Sequence, residues 1–179
     1  MNPKLTYKIS ILGNAGCGKT TLIHRLVHGD FPIEQQPTPA CYCEKYTIIT
    51  GDEPKQFDCI IWDTAGQEKY GALVPIYIRD SDICIIAFSI ENGEQGKQDI
   101  YKWMIKARLN APSAALLFVA TKADLCDDDI VTDIGIFNWN EDDIVNAASY
   151  ITTSSVTGQG INLLTKSIGN SLISMTMRS

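Results

Sequence analysis

Apolar and polar positions along the chain follow two periods, and their succession is that of a sheet protein with helical crossovers. Residues 5–12 (LTYKISIL) predict a strand, and 18–28 a helix with Leu22, Ile23, Leu26 and Val27 on one face. A polar, proline-bearing stretch follows at 30–41. The runs 43–50 and 56–62 have strand character, and the intervening GDEPK is turn chemistry that makes them a hairpin, the one antiparallel pair expected in the sheet. After a glycine-bearing loop and a short helix around 68–77, the runs 82–89 (DICIIAFS) and 114–120 (AALLFVA) are continuously apolar, as central strands covered on both faces are. Ile100, Trp103, Met104 and Ala107 within 97–109, and Ile161, Leu164, Ile168, Leu172 and Met175 within 160–175, fall at helical spacing and predict covering helices. The segment 125–149, with its acids, Gly135 and scattered Ile134, Ile136, Phe137 and Trp139, allows either a loop or a broken helix.

Length and composition narrow this picture. A chain of 179 residues, 45% apolar and 20% charged, suits a single soluble domain over 1–179. No apolar run approaches the roughly 20 residues that cross a bilayer, and the first twelve residues lack the pattern of a cleaved leader. The cysteines (Cys17, Cys41, Cys43, Cys59, Cys84, Cys126) form no CxxC pair, which predicts reduced, mostly buried thiols in the cytosol. A net charge of −6 argues against nucleic acid as a partner. From Lys122 to Lys166 no other Lys or Arg occurs, while Asp124, Asp127, Asp128, Asp129, Asp133, Glu141, Asp142 and Asp143 do, so one end of the molecule should be acidic.

The chemistry is concentrated in short motifs. Directly after the first strand, Gly13-Asn14-Ala15-Gly16-Cys17-Gly18-Lys19-Thr20 matches the phosphate-loop pattern GxxxxGK[ST] and opens a helix. Its glycines let backbone N–H groups turn around phosphates, and the helix N-terminus favours an anion. Lys19 reaches the outer phosphates in this reading, Thr20 holds magnesium, and Asn14 to Thr21 form the nucleotide cradle. The loop alone does not separate ATP from GTP. Asp63-Thr64-Ala65-Gly66-Gln67-Glu68 follows the strand ending at Trp62; a strand-end Asp suits magnesium through water, and a Gly N–H can sense the γ-phosphate. Thr121-Lys122-Ala123-Asp124 closes the 114–120 run, and a carboxylate there can accept from both N1–H and N2–H₂ of guanine, a donor pair that adenine lacks.

Taken together these motifs resemble those of the Ras superfamily of small GTPases. Trp-Asp-Thr-Ala-Gly-Gln-Glu (62–68) resembles switch II of that family, its leading Trp being typical of the Rab branch, and Pro75-Ile76-Tyr77-Ile78-Arg79-Asp80 is also Rab-like. Thr121-Lys122-Ala123-Asp124 is similar to the family's [NT]KxD guanine motif, and Thr153-Ser154-Ser155-Val156 to its ETSAK loop, with Ser155 and Val156 replacing Ala and Lys. The resemblance covers residues 5–175. It implies a six-stranded mixed sheet flanked by helices on both faces, GTP or GDP bound with Mg²⁺, and slow GTP hydrolysis in which Gln67 orients the attacking water beside Lys19. It also implies Thr38 as the second magnesium hydroxyl beside Thr20 and Asp63, Gly66 on the γ-phosphate, Phe31 over one face of the base, and Ser154, Ser155 and Val156 at the guanine carbonyl.

Departures from the family pattern qualify these expectations. Thr38 is followed by Pro39-Ala40-Cys41-Tyr42-Cys43 in place of Ile-Gly-x-Asp-Phe, so known Rab effectors do not carry over. Ala15, near where Gln67 and a partner's arginine must fit, puts a methyl in the way of catalysis. Cys17 is either a reactive thiol at a helix N-terminus or, as the better reading, a small buried hydrophobe. The resemblance implies a monomer that regulates vesicle traffic, served by an exchange factor, a GTPase-activating protein and effectors. It implies a cytoplasmic protein, peripheral on endomembranes, yet the chain ends Met175-Thr176-Met177-Arg178-Ser179 without a prenylation cysteine, so membrane association needs a tail absent here or a partner. A module of the same fold that holds GTP or GDP without hydrolysis remains the alternative, and a phosphate-loop ATPase or kinase the more distant one.

Overall fold

The computed structural model describes residues 5–32, 41–64, 74–126 and 147–178. Its strands are β1 (Tyr7–Leu12), β2 (Cys41–Thr50), β3 (Lys55–Thr64), β4 (Ile83–Ser89), β5 (Ala115–Thr121) and β6 (Ala147–Thr152). Its helices are α1 (Lys19–His28), α2 (Val74–Ile78), α3 (Gly93–Asn110) and α4 (Ile161–Arg178). The strands form one six-stranded sheet in the order β2-β3-β1-β4-β5-β6. Only β2 and β3 run antiparallel, joined across Thr50 and Lys55 by the turn anticipated at GDEPK, and the other pairs are parallel.

Parallel pairing demands crossovers, and the crossover helices must cover both faces. Alternation along β4 shows how this is met. Ile83, Ile85 and Ala87 join Leu22, Ile23 and Leu26 of α1 and Leu164, Ile168 and Leu172 of α4 in one core. Cys84, Ile86 and Phe88 join Ile100, Trp103, Met104 and Ala107 of α3 in the other. Every residue of β4 is buried, which is why its sequence reads as one apolar run without alternation.

Three expectations need correction. β6 begins at Ala147, inside the segment read as a loop or broken helix; it pairs with β5 through a register shift at Leu116/Leu117, and supplies the sixth strand. β3 runs two residues past Trp62, so Asp63 and Thr64 belong to the strand, held by pairing with Tyr42 and Cys41. The thiols are not mostly buried: Cys17, Cys59 and Cys84 are, while Cys41 and Cys126 are part-exposed and Cys43 is exposed. β2 lies at the edge of the sheet, with α4 over the face that holds Tyr46 and Ile48 and with Cys43 on the other. Apart from Asp124, the acids of the segment after Lys122 lie outside the described residues, as does the stretch 65–73 before α2.

Candidate functional site

The carboxyl ends of β1, β3 and β5 lie along one edge of the sheet, and the loops that leave them carry the predicted motifs. β1 ends at Leu12, and the chain passes so close to β4 that a Cβ on Gly13 would overlap the Ala87 carbonyl oxygen. Only glycine permits that approach. Gly18, left-handed at φ 83°, caps α1, and its carbonyl accepts the Leu22 N–H at 2.9 Å. The first N–H groups of α1 therefore open onto the loop 13–18, the arrangement that receives an anion.

Lys19 stands on the first turn of α1 and is only 6% exposed. Its ammonium donates to the Asn14 carbonyl at 2.8 Å and lies 3.9 Å from Cys17 Sγ, so the cation is held over the loop. The Thr20 hydroxyl donates to Asp63 Oδ2 at 2.5 Å, and Asp63 is buried at the end of β3. Thr21 bonds back to the Gly18 carbonyl at 3.2 Å, while Ala15 and Gly16 form the exposed crest of the loop. Cys17 is buried, donates to the Ala87 carbonyl at 3.3 Å, and has its thiol pushed up by burial. That environment favours the packing reading over a reactive thiolate.

The loops that leave β5 and β6 are tied to the loop 13–18. The Thr121 hydroxyl sits between the Cys17 carbonyl (2.6 Å) and the Phe88 carbonyl (3.0 Å), and donates to either. Lys122 adopts φ 61°, a left-handed conformation rare for a side-chain-bearing residue, and its ammonium lies 3.2 Å from Glu91 Oε2. The Lys122 ammonium and then the Ser89 hydroxyl hold the Glu91 carboxyl below its usual range. Asp124, exposed in the 3-10 turn Ala123–Leu125, accepts the buried Ser154 hydroxyl at 2.5 Å. Ser154 in turn accepts the Thr157 N–H at 3.1 Å. The Thr153 N–H donates to the Ala120 carbonyl at 2.7 Å and its carbonyl accepts from Ala123 at 3.1 Å, which fastens this loop to the end of β5. Ser155 is buried, whereas Val156 is 53% exposed.

The structure thus brings residues 13–21, Asp63, Thr121, Lys122, Asp124 and Ser154 to one edge of the sheet. Phe31 is half-buried just beyond the left-handed Gly29 that ends α1. Thr38, Gly66 and Gln67 lie outside the described residues. Two side chains that sequence reading gave no part in the site touch its members: Glu91 on Lys122, and Trp103, whose indole N–H donates to Asn14 Oδ1 at 2.8 Å; Ser154, expected at the site through its backbone, also holds Asp124 through its hydroxyl. Helical spacing marked Trp103 as core, which it also is, and no local pattern could show its second contact.

Residues 8–124 match the family model described as "Ras of Complex, Roc, domain of DAPkinase". The chain is 30% identical over 161 residues to GTP-binding protein rho3 of Schizosaccharomyces pombe, covering 87% of this chain and 77% of that protein. It is 30% identical over 172 residues to Ras-related protein Rab-5A of Dictyostelium discoideum, covering 96% and 83%. Against human Rho-related GTP-binding protein RhoB the identity is 32% over 124 residues, covering 69% and 62%. With the Roc family model matched over 8–124, a mixed six-stranded sheet and relatives of both the Rho and Rab kinds, the chain belongs to the Ras superfamily of small GTPases.

Proposed function

We propose that this chain, as one G domain, is a guanine-nucleotide-dependent switch that binds GTP or GDP with Mg²⁺ and hydrolyses GTP slowly. The observation that carries the reading is the Thr121 hydroxyl 2.6 Å from the Cys17 carbonyl. It couples the loop suited to phosphates to the turn bearing Asp124, so base and phosphates of one nucleotide can be engaged together. Asp124, oriented by Ser154, accepts from the two guanine donors. Lys19 and the N–H groups of the loop and first helical turn neutralise the phosphate oxygens. The Thr20 hydroxyl and Asp63 carboxylate, 2.5 Å apart, are hard oxygen donors of the type Mg²⁺ takes, with Thr38 as the third group. Held by these groups, Mg²⁺ would supply positive charge to offset that of the phosphates.

Gln67 positions the water that attacks the γ-phosphate, and Ala15 crowds that approach, in keeping with slow intrinsic turnover. Release of the γ-phosphate frees Thr38 and Gly66 and so ends effector binding. The Rab-like Trp62 and Pro75–Asp80 stretch supports a role in vesicle traffic, with an exchange factor, an activating protein and effectors as partners and the protein peripheral on endomembranes. No described helix is long and apolar enough to cross a membrane.

The first test is identification of the nucleotide that copurifies. Guanine nucleotide, released on chelation of magnesium, is the expected result; an adenine nucleotide, or none, would refute the assignment. In single-turnover assays with GTP, Gln67→Leu should hydrolyse at least about 10-fold more slowly than the unmodified chain, within the range of one positioned catalytic group. Equal rates would remove Gln67 from the mechanism and favour a module that binds without useful hydrolysis.

A further inference from the structure

Trp103 lies on α3, on the face of the sheet opposite α1, and is 4% exposed within the core that includes Leu12, Ile86 and Phe88. Core packing accounts for its ring but not for the direction of its N–H. That group donates to Asn14 Oδ1 at 2.8 Å, across 89 positions of sequence. Asn14 is thereby held twice, its side-chain amide by Trp103 and its backbone carbonyl by the Lys19 ammonium at 2.8 Å. The Lys106 ammonium stands 4.3 Å over the Trp103 ring, a cation–π contact on the flank of the same indole.

We propose that Trp103 is a positioning residue for the phosphate loop: by fixing the Asn14 amide it keeps the Asn14 carbonyl on Lys19 and the loop closed, which slows nucleotide release. The inference rests on the reading of 13–21 as the phosphate cradle. It makes α3 a lever on that cradle, because movement of α3 against the sheet would strain the Trp103–Asn14 bond before it disturbed any nucleotide contact.

The test is a double-mutant cycle on the full chain loaded with fluorescently labelled GDP and Mg²⁺ and chased with excess GDP. Trp103→Phe keeps the ring and removes the donor; Asn14→Ala removes the acceptor. Each should speed release about 5–30-fold, the scale of leaving one buried polar group unpaired, and the pair should be no faster than the faster single variant. Rates that multiply, or single variants that match the unmodified chain, would overturn the proposal while leaving nucleotide binding in place. An unmodified chain that holds no labelled GDP would overturn the nucleotide reading and this inference with it. A second readout does not depend on Trp103→Phe folding. The Trp103 indole N–H resonance should be protected from solvent exchange in the loaded protein and lose that protection in Asn14→Ala; an unchanged resonance would also overturn the link.

Discussion

Replacing Asp124 by alanine should remove most of the preference for guanine while leaving the phosphate contacts intact. Asp124 Oδ1 is engaged by the Ser154 hydroxyl at 2.5 Å, and a carboxylate retains further lone pairs for the N1–H and N2–H₂ of guanine. Hydrogen bonds to a charged acceptor contribute about 1.5–3 kcal/mol each. Two of them separate GDP from ADP by roughly 100-fold or more, and one separates GDP from inosine diphosphate by about 10-fold or more. Competition binding with the three diphosphates measures both ratios. In Asp124→Ala the ratio of GDP to inosine diphosphate should fall close to unity, and that of GDP to ADP by at least about 10-fold, the remainder coming from the N–H groups of 154–156 that meet the 6-oxo group ADP lacks. An unchanged preference for GDP over ADP would show that the base is read elsewhere. The carboxylate also accepts the buried Ser154 hydroxyl, so urea unfolding of the variant is measured alongside to separate a change in selectivity from a change in stability.

Lys19→Met separates function from stability in the opposite sense. The Lys19 side chain is 6% exposed, and its ammonium rests on a backbone carbonyl and beside a thiol, a poor exchange for water. Methionine fills similar space without the charge. Nucleotide affinity should fall by about 100-fold or more, the loss of two charge-assisted bonds to phosphate oxygens. The denaturant midpoint of the nucleotide-free protein should stay the same or rise, since a buried cation is removed without opening a cavity. Titration with labelled GDP, together with urea unfolding of the nucleotide-free variant, gives both numbers. Affinity within a factor of about three of the unmodified chain would exclude Lys19 from the site. A lowered midpoint would mean that the Lys19–Asn14 contact supports the fold itself.

Both predictions draw on residues legible in the sequence, and the reason is locality. The proposed phosphate loop is eight consecutive residues between a strand and a helix, so its glycine spacing, its lysine and its helix start are all set by neighbours along the chain. Gly18 illustrates this: the helix anticipated from residue 18 begins at Lys19, with Gly18 as its left-handed cap. Thr121 and Asp124 were placed by the same logic, since a continuous apolar run marks a buried parallel strand and its polar end marks the edge where ligands bind. The hairpin of β2 and β3 was legible from its turn residues, and only its margins shifted.

What the sequence could not determine depends on which distant segments meet. β6 has an ordinary polar-apolar sequence, AASYIT, and becomes a strand because β5 offers an unpaired edge. Cys43 reads like the other thiols, yet it is exposed because it lies on the face of β2 opposite Tyr46 and Ile48, which pack into the core with α4. The hydrogen bonds of Thr121 with Cys17, Ser154 with Asp124 and Trp103 with Asn14 span 104, 30 and 89 positions. The chain by itself determined the loop glycines, the helix start and the strand end on which the proposed phosphate and base contacts stand, because these are properties of short segments. Tertiary structure decided how those groups are tied together, because a hydrogen bond between remote side chains exists only once the sheet has set the spacing of the loops at its carboxyl edge.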